Sequence, residues 1–377
     1  MPPMGADVKG VRERKPPPEG GGPRRVLMTA DAVGGVWSYA LELARGLAGY
    51  GVEVILAVMG TPPTADQLRE VRGIRNIALH RKPFALEWME DPWDDVDRAG
   101  RWLLELADEL GPDLVHLNGY VHAALPWKCP CVVVAHSCLY SWWDAVRQGV
   151  TPEKYRRYRD AVRRGLSCAS VVAAPSGAML SSLERFYLPL GKTRVIHNGR
   201  SRRRFKPGCK ENFVLSVGRL WDEAKNVDAV MKSAGTVPWP VYVAGPEGHP
   251  EGGLVPLQNV NRLGQLSPKR LASWFARASI YAHPARYEPF GLTILEAAMS
   301  RCALVLGDIP SLRELWKDAA LFVPPDDTEA LAAQLRLLCE DRERREQMAQ
   351  KAFARSLDFS PAKMAAQYLD AYGTALQ

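Results

Sequence analysis

No apolar run in this sequence approaches the roughly 18 residues that a membrane-spanning helix needs, and the N-terminus lacks the apolar core of a signal peptide. The chain therefore does not read as an integral membrane protein. Its seven cysteines, an odd number, form no C-x-x-C pair, and Cys129 and Cys131 flank Pro130 at the start of an apolar strand, a poor geometry for zinc. Free thiols in a reducing cytoplasm are the expectation. The dinucleotide fingerprint G-x-G-x-x-G is missing too, because GGVWSY supplies only the adjacent Gly34 and Gly35, which weighs against a nicotinamide dehydrogenase. No short period recurs, so a solenoid is not expected.

What is present points to two soluble domains. At 377 residues the chain exceeds the size at which a single core stops growing, and 47% hydrophobic with 24% charged residues is ordinary globular composition. Residues 1–23 are rich in Pro, Gly and charge and read as a disordered tail. From Arg24 short β-branched runs alternate with amphipathic helical patterns, the rhythm of parallel sheets flanked by helices. RVLMTA, VEVILAVM, DLVHLNG, CVVVAH, SVVAAPS and TRVIHNG are the first set of strands. A polar, turn-rich break follows at GRSRRRFKPG, and the rhythm restarts with FVLSVGR, WPVYVAG, SIYAHPA, CALVLGD and AALFVPP. The expected boundaries are 24–199 for the first domain, 200–355 for the second and 356–377 for a C-terminal helix packing back on the first. Ser360 and Pro361 mark the start of that helix as N-cap and first residue.

The net charge of +7 is uneven. Residues 151–170 carry six Lys/Arg against Glu153 and Asp160, and residues 192–210 carry eight with no acid. Local patches of this kind suit an anionic ligand or a membrane surface; no nucleic-acid motif accompanies them, and no nucleic-acid partner is expected. In EKYRRYRDAVRRGL a stripe of Tyr155, Tyr158, Val162 and Leu166 predicts a helix packed through its tyrosines with a solvated basic face, leaving at most weak peripheral contact with an anionic membrane.

Two cations, Arg219 right after a strand and Lys225 in the following loop, are placed to converge on a diphosphate. Gly34 and Gly35 form a glycine turn at another strand exit. In RYEPFGLTILEAAMS, Glu288 and Glu296 are separated by seven residues, with Pro289 suited to a first helical turn. On one helix they would lie about 12 Å apart along the axis. Spacing alone fits two acids gripping one ligand and fits equally a helix-start acid with a solvent-facing one. His136, after an apolar strand, fits a hydrogen-bonded structural role as well as a functional one. Asp95-Val96-Asp97 is formally an Asp-x-Asp metal signature, but it opens a helix, where acids favour the dipole. The aromatics Trp88, Trp93, Tyr140, Trp142 and Trp143 offer faces for a sugar or simply core.

Taken in order, GGVWSYALELARGLAGYGVEV, VIHNG, VGRLWDEAKN, EPFGLTILEAAMS and PSLREL resemble the retaining glycosyltransferases of family 4. The resemblance runs from Arg24 to the end and implies an α/β GT-B fold, two Rossmann-like domains facing a cleft. It implies that Arg219 and Lys225 neutralise the departing diphosphate, that Glu288 lies beside the donor sugar, and that Glu296 holds the ribose hydroxyls. Backbone N–H groups of Phe290, Gly291 and Leu292 would meet the phosphates, Gly34 and Gly35 would close over the donor, and His136 would contact its sugar. Asn198 and Gly199 match the turn into the interdomain linker.

The implied reaction moves a hexose from a nucleoside diphosphate sugar to a hydroxyl of a saccharide or glycolipid, by front-face substitution and without cofactor or metal. A sugar-nucleotide epimerase of the same architecture, or a nucleotide-sugar-binding protein without turnover, are the alternatives. The linker SRRRFKPG is more basic than such a turn requires, and the loop after Gly218, with Trp221, Asp222 and Glu223 between the two cations, is where donor selectivity is expected to be tuned.

Overall fold

A computed structural model describes residues 22–187, 189–248 and 256–377; the expected tail lies outside them except for Gly22 and Pro23. The first domain holds β1 (Arg25–Asp31), α1 (Gly35–Ala48), β2 (Glu53–Met59), α2 (Ala65–Arg72), β3 (Ile77–Arg81), α3 (Trp93–Leu110) and β4 (Leu114–Leu117). It continues with β5 (Cys131–Val134), α4 (Leu139–Arg147), α5 (Arg156–Cys168), β6 (Val171–Ala174), α6 (Gly177–Tyr187) and β7 (Thr193–Val195). The second holds β8 (Glu211–Val217), α7 (Val227–Ala234), β9 (Val241–Ala244), β10 (Asn261–Arg262), α8 (Pro268–Arg277), β11 (Ala278–His283) and α9 (Leu292–Met299). Then come β12 (Ala303–Gly307), α10 (Pro310–Trp316), β13 (Leu321–Val323), α11 (Thr328–Glu340), α12 (Arg342–Ser356) and α13 (Pro361–Leu376).

Both sheets are parallel throughout, ordered β3-β2-β1-β4-β5-β6-β7 and β10-β9-β8-β11-β12-β13. Strand order therefore reverses between β1 and β4 in one sheet and between β8 and β11 in the other. Such switch points open a crevice beyond the strand C-termini, where α/β sheets bind ligands.

Hydrophobic periodicity accounts for the packing. On α1, Trp37, Leu41, Ala44 and Leu47 fall on one stripe, all buried, and on α5 the stripe is Tyr158, Val162 and Leu166. Burying each large apolar side chain contributes about 1.5–3 kcal/mol. The α5 stripe sits in the core, so its arginines are left on the solvent face.

Both faces of each sheet are covered, and α13 belongs to the first domain's core although its residues come after the whole second domain. Met364, Tyr368 and Tyr372 pack with Tyr39, Leu41 and Val132. Ser360 caps α13 by accepting from Lys363 N, and Pro361 is its first residue.

Two short edge strands were not expected, β3 and β10. Both are half-exposed or exposed, so neither shows the continuous apolar run that marks a buried parallel strand. A second difference bears on the site. Helix α9 begins at Leu292, because Gly291 adopts φ 85°, ψ 71° and breaks the helical path; Pro289 and Phe290 lie in the approach loop. Glu288 and Glu296 thus do not share a helix, and the 12 Å axial spacing does not apply.

Candidate functional site

The second domain's switch point carries the charge. Arg219 follows β8, and Glu288 follows β11. Lys225 Nζ donates to Glu288 Oε2 at 2.8 Å, and His283 Nε2, on the last residue of β11, lies 3.3 Å from the same oxygen. Burial pushes the Glu288 carboxyl up, but Lys225 and His283 outweigh it and hold it well below the usual carboxylate range. Burial pushes the His283 imidazole down against the pull of Glu288. Ser311 Oγ donates to the Glu288 carbonyl at 2.7 Å, fixing the backbone beneath it.

Arg219 is held by Asp222, whose Oδ2 accepts from Nη2 at 2.6 Å; Asp222 Oδ1 takes Ala224 N at 3.0 Å and, from α4 across the cleft, Trp142 Nε1 at 3.2 Å. Burial pushes the Asp222 carboxyl up, yet Lys225 and Arg219 together bring it below its ordinary value. Each site cation is therefore paired with an acid on the same wall. Arg219 remains partly exposed, at 38% of its side chain, while Asp222 holds its guanidinium.

The first domain closes on this wall. A Cβ on Gly34 would lie 3.4 Å from Arg219 Nη1, and one on Gly35 would lie 3.4 Å from Leu292 Cδ1. The glycine turn thus touches both the cation and the start of α9, whose N-terminus carries no side-chain cap and presents open N–H groups. Gly177 N and Ala178 N, opening α6, donate to the Glu314 carboxylate at 2.8 and 2.9 Å, and Ser176 Oγ donates to the Pro289 carbonyl at 2.8 Å.

On the first domain's own switch point the histidines are neutral, and Asp31 is the one group there that titrates close to neutrality. Asn118 Nδ2 donates to the Thr29 carbonyl at 2.6 Å, so its oxygen faces His136, and His136 donates to it from Nε2 at 2.8 Å. His116 lies behind, with Nε2 3.2 Å from Tyr39 Oη and Nδ1 2.8 Å from Tyr372 Oη. Burial pushes both His116 and His136 down to about 3, which keeps them uncharged near neutrality. Asp31, ending β1, is pushed up to about 6 by burial, against the Val33 N–H and Arg219.

Glu296 stands apart from this group. It is buried on α9 and its Oε1 accepts from Arg200 Nε at 2.8 Å. The Asp-x-Asp acid Asp95 accepts from Ala85 N at 2.7 Å and pairs with Arg98, which is a helix-start role. Among the aromatics, Trp142 crosses the cleft, Trp143 packs on Tyr155, Tyr140 is buried, and Trp88 is exposed. Among the described residues no three His, Cys, Asp or Glu side chains are placed to hold a metal ion.

Sequence reasoning named Arg219, Lys225, Glu288, Gly34, Gly35, Phe290, Gly291, Leu292 and His136 for the two walls, placed Asp222 only in a selectivity loop without its partners, and missed His283, Asn118 and Arg200. A polar residue at a strand's last position was the available signal for His283, and one just past the strand end for Asn118.

Residues 33–204 match the family described as Glycosyltransferase Family 4, and residues 199–355 match Glycosyl transferases group 1. Together the two matches span residues 33–355, and the chain is a glycosyltransferase of the GT-B type. A D-inositol 3-phosphate glycosyltransferase of Nocardia farcinica is 26% identical over 394 residues, covering 92% of this chain and 86% of that one. Glycogen synthase of Mycobacterium tuberculosis is 26% identical over 352 residues, covering 82% and 83%.

Among solved structures, sucrose-phosphate synthase from Thermosynechococcus elongatus superposes with a TM-score of 0.76 at 18% identity, covering 93% of this chain and 98% of that one. Anabaena HepE in complex with UDP and glucose does so at 0.72 and 16%, covering 92% and 99%. These likenesses establish the GT-B fold.

Proposed function

We propose that the protein transfers a hexose from a nucleoside diphosphate sugar to a hydroxyl of a saccharide or glycolipid, retaining the anomeric configuration and using no metal. The observation that carries this reading is the meeting of Lys225, Glu288 and His283 at one switch point with Arg219 beside them, under the glycine turn of the opposite domain.

Bond cleavage at the anomeric carbon leaves negative charge on the diphosphate. Lys225 and Arg219 supply fixed positive charge there, and the open N–H groups at the start of α9 add partial charge at no cost in reorganisation. Glu288 keeps Lys225 in place and stays ionised. Its carboxylate is occupied by two partners, which makes it a poor nucleophile and favours front-face substitution, with the departing diphosphate taking the acceptor proton. His136, neutral and held by Asn118, is available to hydrogen-bond the sugar. Relatives named for inositol phosphate and glycogen substrates and a fold neighbour that holds UDP and glucose support a UDP-type or related donor and a polyol or saccharide acceptor. The basic face of α5 suits weak contact with an anionic membrane from the cytoplasmic side; among the described residues no helix is long and apolar enough to cross one.

The test is nucleoside diphosphate release from UDP-, GDP-, ADP- and dTDP-sugars, with and without EDTA, beside Glu288→Ala. Slow release from one donor, unchanged by EDTA and abolished in the variant, is expected, with the product's anomeric configuration matching the donor's. Sensitivity to EDTA would remove the metal-free mechanism, an inverted product would remove retention, and no release or binding from any donor would remove the transferase reading.

A further inference from the structure

Two chain crossings between the domains meet at one point. Arg200 N donates to the Phe359 carbonyl at 3.1 Å, and a Cβ on Gly199 would lie 2.5 Å from the Ser360 carbonyl oxygen, so only glycine allows the crossings to touch there. The Arg200 side chain then turns inward. It is 6% exposed, and its guanidinium bridges two acids: Nε to Glu296 Oε1 at 2.8 Å and Nη1 to Glu42 Oε1 at 3.2 Å. Glu296 lies on α9 of the donor wall, whereas Glu42 lies on α1, the helix that follows the glycine turn.

The bridge continues outward. Arg45 lies 3.6 Å from Glu42 and 3.1 Å from Glu70, and Arg204 lies 3.4 Å from Glu70. Three arginines and three glutamates thus alternate from the surface to the interior and sum to zero charge. Of the linker arginines Arg200 and Arg204 join this network, whereas Arg202 lies over the Phe353 ring instead. A carboxylate as buried as Glu296 stays ionised only beside a cation, and a lysine in place of Arg200 could not reach both acids, because a single ammonium lacks the guanidinium's fork.

Building on the proposed donor site, we infer that Arg200 is a positioning residue for donor recognition: it fixes the Glu296 carboxylate for the ribose hydroxyls and, through Glu42, ties that grip to the glycine-turn helix of the other domain. Neither glutamate needs to move for this; the shared guanidinium makes their positions interdependent. Ribose recognition and interdomain geometry are therefore set by one side chain at the hinge.

The experiment is calorimetric titration of UDP, GDP and ADP and their 2′-deoxy counterparts into the wild-type protein, Arg200→Met, Arg200→Lys and Glu42→Gln. Wild type should prefer one ribonucleotide over its 2′-deoxy form. Arg200→Met, which keeps volume and removes charge, should weaken the ribonucleotide about tenfold or more while leaving the 2′-deoxy form nearly unchanged, so the preference collapses. Arg200→Lys should restore part of it, and Glu42→Gln should shift it in the same direction by less. An unchanged ribose preference in Arg200→Met with only a lower melting temperature would make the residue merely structural and overturn the inference. Wild type binding without a ribose preference would overturn it as well. If Arg200→Met does not fold, Arg200→Lys and Glu42→Gln decide, and a wild-type ratio in both sinks the idea. Wild type that binds none of the nucleotides would instead remove the donor-site reading on which the inference stands.

Discussion

The two switch points of this molecule solve different problems with different chemistry. Beyond β8 and β11 stand ionised groups in pairs, Lys225 with Glu288 and Arg219 with Asp222. Beyond β1, β4 and β5 stand uncharged groups in a hydrogen-bonded chain, His136, Asn118, His116, Tyr39 and Tyr372. In the proposed transfer the first set would face the leaving group, and the second, Asp31 apart, would orient the sugar without adding charge.

Four changes would break or sharpen this contrast, and Lys225→Ala should be the largest. It removes positive charge from the leaving-group side and leaves Glu288 buried with fewer partners, so turnover should fall about 10²–10³-fold with a smaller change in donor affinity. Steady-state kinetics with the donor that supports release decide it; wild-type turnover would show that the charged wall does not act on the leaving group.

The neutral wall should show itself in the pH dependence of stability. His116 and His136 titrate near 3 in the folded protein, below the 6.5 of an exposed imidazole, so between these values the unfolded chain holds more protons. Their contribution is complete above pH 6.5 and is lost as pH falls, by at most about 1.4 kcal/mol per unit for each group. Urea midpoints should decline accordingly from about pH 7 to about pH 4.5, and His136→Gln should flatten the slope. A flat wild-type profile would mean that these imidazoles titrate in the fold as they do in the unfolded chain.

Smaller still is the expected effect of Asn118→Ala, which leaves His136 without its acceptor. Turnover should drop about tenfold while the affinity for nucleoside diphosphate stays put, since the group orients and does not bind phosphate. An equal loss in both would place Asn118 in donor binding. The least consequential is Glu223→Gln. Its pair with Arg147 crosses the cleft at 2.6 Å, but both side chains are half-exposed, so the interaction contributes under about 1 kcal/mol and donor KM should change less than twofold.

Much of this was legible before any coordinates. Buried parallel strands announce themselves as β-branched runs, and Arg219, Lys225, Gly34 and Glu288 sit at strand exits where the alternating pattern puts them. The edge strands β3 and β10 were not visible, because half-exposed strands lose the apolar run. Helix α9 starts later than Pro289 suggested, since a positive φ at Gly291 is a backbone fact that no side chain reports. Arg200 and Glu42 were hidden for another reason: they are partners 158 positions apart, and nothing local distinguishes an arginine that will be buried from the exposed ones beside it. Asp222 likewise looked like loop charge until Trp142 was seen to reach it from the other domain.

The return of α13 has a consequence for how the protein is made. Tyr372 supplies the partner of His116, and Tyr368 fills the core between α1 and the sheet. On a ribosome the first domain emerges first, yet it must wait for the entire second domain before that helix exists. At about 5–20 residues per second the interval between β7 and α13 is on the order of ten to thirty seconds. During that time an apolar seam on the earliest-born half stays open, the kind of surface that chaperones shelter.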